Sequence, residues 1–374
     1  MRPSLAIGPV ATRAAGNGTR VTAPVGGHPA WFECTDLPLE PAPEAFGSAF
    51  LIPAAASHRR LDLAEPVSST WADGAGKVLD TVGRWWGYRV ERPRAVMRPE
   101  VLRNPDSRRG LTALCFSGGV DSFFTLLRRP GGVDLLVAAH GFDIPLVDVA
   151  RMSRFHDGMN EVAAELGVRT AVVRTNLREH REFLGANWTR THGGALAALG
   201  HALGGAAERL VVSSSCTRRD PYPWGSHFEL DPLWSSGRLT IEHFGESLGR
   251  GEKLGLIGND PLVQRHLRVC WENRSGTLNC SRCEKCIRTE VTLATYGLLD
   301  RFEVFASPTT LADRIDGVAK VPVRPSLQPY RTALESGALD HDVARAVRAL
   351  IRRTRRSYVR DSVVGLARRA TARL

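Results

Sequence analysis

The feature that most constrains this chain is the hexapeptide SGGVDS at residues 117–122. It follows the apolar run Leu111–Phe116 and precedes an apolar-periodic segment, Phe123–Arg129. This order predicts a strand, a glycine-rich turn and the start of a helix. Such a turn directs unpaired backbone N–H groups and the positive end of a helix dipole at one point, which favours a bound phosphate.

The residue types within the hexapeptide suit contact with an anion. Gly118 and Gly119 let the backbone approach closely and tolerate positive φ. Ser117 and Ser122 add hydroxyl donors, and Asp121 places a carboxylate at a helix start, where the helix dipole stabilises it. The pattern lacks the Gly-Lys-Ser/Thr ending of the Walker loop and the glycine spacing of the Rossmann turn. An incidental Gly-Gly turn with an aspartate cap is the simpler alternative.

A second constraint is a group of four cysteines: Cys270, Cys280, Cys283 and Cys286. The last three are separated by two residues each and cannot all point one way from a regular helix. They predict a knuckle around one ion, with Cys270 as the fourth ligand. Four thiolates around tetrahedral zinc form a closed, structural site. An iron–sulfur cluster uses the same ligands and stays open as an alternative, whereas disulfides suit a reducing cytoplasm poorly.

The net charge of +11 is unevenly distributed along the chain. Residues 342–374 contain ten arginines and two aspartates, a net charge of +8, so the rest of the protein is nearly neutral. Apolar residues recur at helical spacing in this tail. That stripe favours a helix docked on protein over a patch for RNA or an acidic partner. We expect a cytoplasmic protein, because there is no membrane-length apolar run and no signal peptide.

From residue 110 onward strands and helices alternate, which predicts a parallel sheet covered by helices on both faces. A helix rich in small residues, 192–204, is expected to pack closely. In the N-terminal part, 30–34 and 49–53 are predicted strands. The expected organisation is a disordered N-terminus (1–25), a small α+β domain (26–108), a nucleotide-binding α/β domain (109–265), a four-cysteine knuckle (266–300) and a helical, arginine-rich extension (301–374).

The loop and the knuckle together resemble the PP-loop of the N-type ATP pyrophosphatases, and in particular proteins similar to 7-cyano-7-deazaguanine synthase. The likeness covers roughly residues 109–300. In that family a lysine stands at a helix start before the knuckle and an arginine follows the last cysteine; Lys253 and Arg288 fit those places. The resemblance implies a doubly wound parallel sheet of the adenine nucleotide alpha-hydrolase-like (HUP) type with a C-terminal zinc knuckle.

The resemblance also implies a set of ligands and site residues. ATP would be held by Ser117, Gly118, Gly119, Val120, Asp121 and Ser122, with Gly141, Phe142 and Asp143 flanking the adenosine. Ser117, Asp121, Ser122 and Lys253 would take part in catalysis, together with Mg²⁺, and the four cysteines would hold Zn²⁺. Relatives of this class commonly dimerise, so a homodimer is one expectation.

The acceptor substrate is expected in a long segment, 214–235, because long loops within compact domains are often functional. Its polar side chains include Arg218, Arg219, Asp220, Tyr222, His227 and Asp231. Where the synthases have Asp-Cys-Arg, this chain has Trp-Gly-Ser-His at 224–227. The resemblance therefore carries over the class of chemistry and leaves the substrate open.

The predicted function is an ATP-dependent ligase that adenylates a carboxylate or amide oxygen of a small molecule, releasing AMP and pyrophosphate. Ammonia or an amine would then give an amide or a nitrile. A first alternative is sulfur transfer to a thioamide or a thiolated base, with Cys216 as the persulfide carrier. A second is a zinc-knuckle RNA-binding protein, and a nucleic-acid partner ranks behind the small-molecule substrate.

Overall fold

The computed structural model describes residues 4–100, 110–274 and 276–371. Within these residues the chain forms an α/β protein of strands and α-helices. The strands are β1 (Ser4–Ile7), β2 (Ala11–Ala15), β3 (Gly18–Val25), β4 (His28–Cys34), β5 (Arg60–Leu63), β6 (Val67–Ser68), β7 (Met97–Arg98), β8 (Leu111–Cys115), β9 (Leu135–His140), β10 (Arg169–Thr175), β11 (Ala207–Ser213) and β12 (Thr240–Phe244). The helices are α1 (Pro43–Ala56), α2 (Ser69–Trp86), α3 (Val120–Arg128), α4 (Val149–Leu166), α5 (Arg181–Leu184), α6 (Trp188–Ala202), α7 (Arg250–Ile257), α8 (Pro261–His266), α9 (Glu284–Thr295), α10 (Leu311–Asp316), α11 (Gln328–Glu335) and α12 (His341–Thr371).

The chain divides into two compact units, Met1–Arg250 and Gly251–Leu374. The expected boundaries at 108, 265 and 300 do not coincide with this division. The four cysteines and the C-terminal helices belong to one unit, because helices α9 to α12 share a single apolar core. No helix among the residues described is long and apolar enough to span a bilayer.

Ten strands of the first unit form one mixed, mostly parallel sheet. Its order is β12-β11-β8-β9-β10-β4-β3-β1-β5, with β2 paired to β3. Neighbours from β12 to β10 run parallel, as predicted. The chain moves from β8 out to β9 and β10, then returns to add β11 and β12 on the other side of β8. Open α/β sheets bind ligands beyond the carboxyl ends of the strands at such a reversal, which here lies between β8 and β11.

Helices α1, α2 and α6 share a core with one face of this sheet. Ala113 on β8, Val137 on β9 and Val212 on β11 contribute to that core. Helix α6 approaches α1 so closely that a Cβ on Gly194 would lie 2.3 Å from the carbonyl oxygen of Ser48. The close packing expected for this helix of small residues is thereby confirmed.

The N-terminal part differs from the sequence expectation. In place of disorder, residues 4–25 form three strands, and β3 buries Val21, Ala23 and Val25 while the side chains between them are more exposed. Strand β4 pairs antiparallel with β10, so residues 26–108 extend the central sheet and do not build a separate small domain. The small residues concealed a period-two alternation that is sufficient to bury one face of a strand.

Residues 49–53, predicted as a strand, lie inside helix α1. Thirteen of the fourteen residues of this helix are buried, from Pro43 to Ala55. A helix buried on all sides has no polar face, so its sequence lacks the 3.6-residue periodicity that identifies a surface helix. A short apolar run of this kind cannot be distinguished from a buried strand by pattern alone.

Candidate functional site

The hexapeptide 117–122 connects β8 to α3, at the reversal of strand order. Gly118 has φ +70°, in the left-handed region that favours glycine. Gly119 is the N-cap of α3 and has no side chain to cap the helix, so the first turn presents backbone N–H groups. The Ser122 hydroxyl donates to the carbonyl oxygen of Gly119 at 3.0 Å and lies 3.4 Å from the Ser117 hydroxyl. Both hydroxyls therefore border the same turn as the helix N-terminus.

Asp121, in the first turn of α3, makes an ion pair that sequence reasoning missed. Nε and Nη2 of Arg250 lie 2.9 and 2.5 Å from one carboxylate oxygen of Asp121. The two residues are 129 positions apart in the chain, and no local pattern links them. The guanidinium keeps its charge at any physiological pH, so it offsets the negative charge that Asp121 brings to the loop.

The residues expected to flank adenosine lie after β9, at the same edge of the sheet. Gly141 has φ +114°, and a Cβ there would lie 2.0 Å from the carbonyl oxygen of Thr175, so only glycine fits this turn. Phe142 is buried, with its ring edge-on to Trp188 at a centroid distance of 5.1 Å. Asp143 is half-buried beside it. This turn supplies an aromatic ring and a carboxylate near the strand ends.

Asp231, predicted to contact substrate, is fully buried and organises the segment beyond β11. Its carboxylate accepts hydrogen bonds from the Ser226 hydroxyl at 2.7 Å and the His227 backbone N–H at 3.3 Å. It also lies 2.7 Å from Nδ1 of His243, on β12. The His243 partner was not expected from the sequence, because it comes from the next strand. Asp231 therefore fixes the loop and joins it to the edge of the sheet.

His227 is a neutral imidazole within this arrangement. Burial lowers the pKa of His227 below its ordinary value. Its Nδ1 accepts from the backbone N–H of Glu229 at 3.1 Å, which leaves the proton on Nε2. The ring also lies edge-on to Trp85 at 4.8 Å between centroids. The His227 ring is thus held by one hydrogen bond and by aromatic contacts with Trp85 and Phe228.

Two glycines, Gly193 on α6 and Gly225 on the loop, allow the loop to pack directly against the helix. A Cβ on Gly193 would lie 2.0 Å from the carbonyl oxygen of Gly225, and a Cβ on Gly225 would lie 2.7 Å from the carbonyl carbon of Arg190. The Gly225 backbone N–H donates to the carbonyl oxygen of Thr189 at 2.8 Å. Next to this contact the ring centroids of Trp224 and Tyr222 are 5.6 Å apart. The packing of Gly225 against α6 therefore positions an aromatic pair.

The other predicted substrate residues lie on the stretch of loop that leads to His227. Arg218 is exposed, pairs with Glu246 at 3.0 Å and lies over the ring of Phe228, which is 4.0 Å from the ring of His227. Arg219 and Asp220 are exposed on the same stretch of loop. The structure therefore brings together His227 and Asp231 and places the Arg218 guanidinium near them.

The two cysteines near the strand ends provide little support for a sulfur carrier. Cys216 is buried, and desolvation raises the pKa of Cys115 to about 12. A persulfide carrier reacts as an accessible thiolate. Neither environment favours that form.

The four-cysteine cluster lies in the second unit. The Sγ atoms of Cys270, Cys280, Cys283 and Cys286 all lie within 4.8 Å of one another, and all four residues are buried. Cys270 and Cys283 have their sulfurs 3.9 Å apart. A tetrahedral ion with metal–sulfur bonds of about 2.3 Å needs sulfur–sulfur distances of about 3.8 Å. The donor set and its spacing thus fit a single metal ion.

The backbone around the cluster donates hydrogen bonds to the sulfurs. The N–H groups of Cys283 and Cys286 donate to the sulfurs of Cys280 and Cys283, at 3.3 and 3.4 Å. The side-chain oxygen of Asn279 holds the segment at Cys270 by accepting from the N–H groups of Val269 and Cys270, at 2.9 and 3.3 Å. These contacts favour thiolates, the form that binds metal.

Lys253, expected to act on phosphate, belongs to the second unit and is 1% exposed on helix α7. A lysine buried this deeply is held by partners. Its part in catalysis stays a prediction.

Comparison with known proteins adds no family assignment. No protein-family model matches the chain, and no curated protein or solved structure shows significant similarity to it. Any functional conclusion therefore depends on the geometry of the residues themselves.

Proposed function

We propose that the protein is an ATP-dependent ligase of the PP-loop pyrophosphatase type, which adenylates a small-molecule carboxylate or amide and then transfers nitrogen to it. The observation that carries the proposal is the position of the SGGVDS loop, which follows the central strand β8 and opens α3 where the strand order reverses. The order of the five parallel strands also fits the doubly wound HUP arrangement expected from the resemblance.

In the first step the substrate oxygen forms a bond to the α-phosphorus of ATP. The bond from that phosphorus to the bridging oxygen breaks, and its electron pair leaves with pyrophosphate. The N–H groups of Gly119 and Val120 and the hydroxyls of Ser117 and Ser122 would bind the departing phosphates. The Gly119 N–H and the Ser122 hydroxyl would exchange their present partners in the loop, the Ser117 hydroxyl and the Gly119 carbonyl oxygen, for phosphate oxygens. Mg²⁺ would offset the remaining charge.

The ion pair of Asp121 and Arg250 supports this step electrostatically. An isolated carboxylate beside the loop would repel the phosphates of ATP. Arg250 compensates for that charge while leaving Asp121 ionised, so the carboxylate can still hold the first turn of α3 or Mg²⁺. We expect both residues to matter for nucleotide binding.

In the second step nitrogen of ammonia or an amine forms a bond to the activated carbon. The bond from that carbon to the phosphate oxygen breaks, AMP leaves with the electron pair, and the nitrogen loses a proton, which gives an amide. If an amide is the substrate, its adenylated form loses AMP and a proton to give a nitrile. The segment around His227 and Asp231, beyond β11, is the proposed place of the acceptor.

We assign zinc to the four-cysteine cluster. The sulfurs are close enough for one tetrahedral ion, whereas a four-iron cluster places metal atoms and sulfides between its ligands and needs more space. With four protein ligands the ion has no open position and would stabilise the second unit without taking part in the reaction.

The experiment that tests the proposal measures AMP and pyrophosphate released from ATP with a panel of carboxylates and amides, with and without ammonia. Asp121→Asn is compared with Asp157→Asn, a matched change at an exposed aspartate of helix α4. We expect equal amounts of AMP and pyrophosphate, dependent on an acceptor, lost in Asp121→Asn and retained in Asp157→Asn. Release of ADP and phosphate, or equal loss in both variants, would overturn the proposal. Ammonia dependence would distinguish nitrogen transfer from sulfur transfer.

A further inference from the structure

Helix α12 exposes a row of arginines that the proposed reaction does not use. Between Val343 and Arg360 the chain has seven arginines and no acidic residue. Arg353 is half-buried and the others are exposed: Arg345, Arg348, Arg352, Arg355, Arg356 and Arg360. An ordinary solvated helix face mixes both signs of charge, because like charges three or four residues apart destabilise a helix. A bound polyanion would relieve this repulsion.

The opposite side of α12 argues against insertion of the helix into a membrane. Val347 and Leu350 are fully buried in the core of the second unit, together with Val343 and Ile351. A helix that lies on a bilayer inserts its apolar face into the lipid. Over residues 343–351 that face is already packed against protein, which leaves the cationic side of this stretch for a partner.

The arginine row includes a small cavity suited to a phosphate group. The cavity has a volume of about 430 Å³ and is lined by Ala319, Lys320, Arg353, Arg356, Ser357 and Arg360. Its lining contains four cationic side chains and a hydroxyl; one of the cations, Arg353, also lies 3.6 Å from the carboxylate of Asp316. Nε of Arg353 donates to the carbonyl oxygen of Val318 at 2.8 Å, which fixes this cation in place. A phosphate here would meet positive charge on several sides.

We propose that this surface, the exposed arginines 345–360 with the cavity beside them, binds the phosphate backbone of a duplex nucleic acid. Arginine presents a planar fork that binds phosphate through two hydrogen bonds. The sixteen residues from Arg345 to Arg360 extend over about 22 Å, long enough to follow several phosphates. Tyr358, the aromatic residue of this stretch, is half-buried and donates to the carbonyl oxygen of Val321, which leaves no platform for stacking unpaired bases.

The test uses the full chain and fluorescence anisotropy with labelled duplex RNA and DNA of one sequence, about 20 base pairs long, which exceeds the length of the row. A row variant, Arg355→Glu, Arg356→Glu and Arg360→Glu, is compared with a control of equal net charge. The control reverses three exposed arginines of the first unit: Arg128, Arg154 and Arg169. Both variants should retain the thermal stability of the wild type.

We expect the wild type to bind with a slope of log K against log salt of about −0.9 for each phosphate neutralised. The row variant should bind at least about tenfold more weakly, with a slope shallower by about 3, and the control should match the wild type. Equal binding by the row variant and the wild type, binding without salt dependence, or binding to phosphatidylserine vesicles alone would overturn the proposal. AMP release should persist in the row variant, so failure here is separable from failure of the ligase proposal.

Discussion

The edge of the sheet beyond β8 and the four-cysteine cluster are the two best-organised polar regions of the molecule, and they differ in access. The cysteines are all buried and their sulfurs are close enough to complete a coordination sphere. At the strand ends, by contrast, Ser117 is exposed and Asp121 and Asp143 are half-buried. A closed site stabilises structure, whereas an open one at a helix N-terminus can exchange ligands. Under the proposed function, the second unit would therefore provide stability and the first unit the reaction.

Removal of the metal ligand should produce the largest effect. Cys283→Ser is expected to unfold the second unit, because structural zinc in small domains contributes about 10–16 kcal/mol of apparent binding free energy. Zinc content and thermal melting measure this, with Cys216→Ser as the control at a buried cysteine outside the cluster. Unchanged melting together with no bound zinc in the wild type would remove the structural role of the cluster.

Mild acid should act mainly on the first unit. Burial lowers the pKa values of His140, His180, His201 and His227 below their ordinary value. As pH falls below about 6.5, these histidines are protonated in the unfolded chain but stay neutral in the folded protein. The free energy of unfolding therefore decreases, by at most about 1.4 kcal/mol per pH unit for each histidine.

Urea unfolding followed by tryptophan fluorescence at pH 7.5 and at pH 5.5 tests this, since seven of the eight tryptophans belong to the first unit. Substituting His201→Gln should reduce the difference between the two pH values, and His341→Gln, at an exposed histidine, should not. Equal or greater stability at the lower pH would contradict the expected sign.

Loss of the arginine that pairs with Asp121 should affect activity with little effect on folding. Arg250→Ala is expected to lower pyrophosphate release about 100-fold, because a charge-assisted contact to the loop is lost. Arg250→Lys keeps the charge but not the two-pronged geometry and should recover part of the rate. Melting temperature checks the fold. Full activity in Arg250→Ala would show that the ion pair is dispensable.

Substitution of Gly225, which packs against α6, should have the smallest effect. Gly225→Ala places a methyl group 2.7 Å from backbone of Arg190 and should cost about 1–3 kcal/mol of folding free energy while displacing the 222–227 segment. Gly185→Ala, with nothing within 4 Å of the added carbon, is the control and should cost less than about 0.5 kcal/mol. Equal stability of the two variants would mean that the segment adapts freely.

The parts of the fold that could be predicted have local signatures. Strands β8 to β11 alternate with helices, and the SGGVDS turn and the cysteine spacing each depend on residues close in sequence. Helix α1 could not be predicted, since burial on all sides removes its periodicity. The strands before residue 26 were obscured because small and Gly-rich segments surround their short runs of alternating buried residues, such as Leu5 and Ile7.

The contacts that the sequence did not indicate are long-range ones. Arg250 meets Asp121 because β12 ends beside the loop, and the chain passes through four other strands of the sheet before it returns there. His243 reaches Asp231 from an adjacent strand in the same way. Such pairs depend on strand order, which a single sequence does not specify. Arg219 and Asp220 were expected at the site on residue type; both are exposed on the loop that precedes the buried pair, and their contact with substrate stays a prediction.

The measurement that tests the central claim most directly is calorimetric binding of MgATP to the wild type, Gly118→Val and Gly87→Val. Both glycines have positive φ, +70° and +74°, so both variants carry similar backbone strain, but only Gly118 lies in the loop after β8. We predict that the wild type and Gly87→Val bind MgATP and that Gly118→Val binds at least about 100-fold more weakly, a loss of about 2.7 kcal/mol. No binding by the wild type, or equal binding by Gly118→Val, would contradict the assignment of the strand-end edge as a nucleotide site.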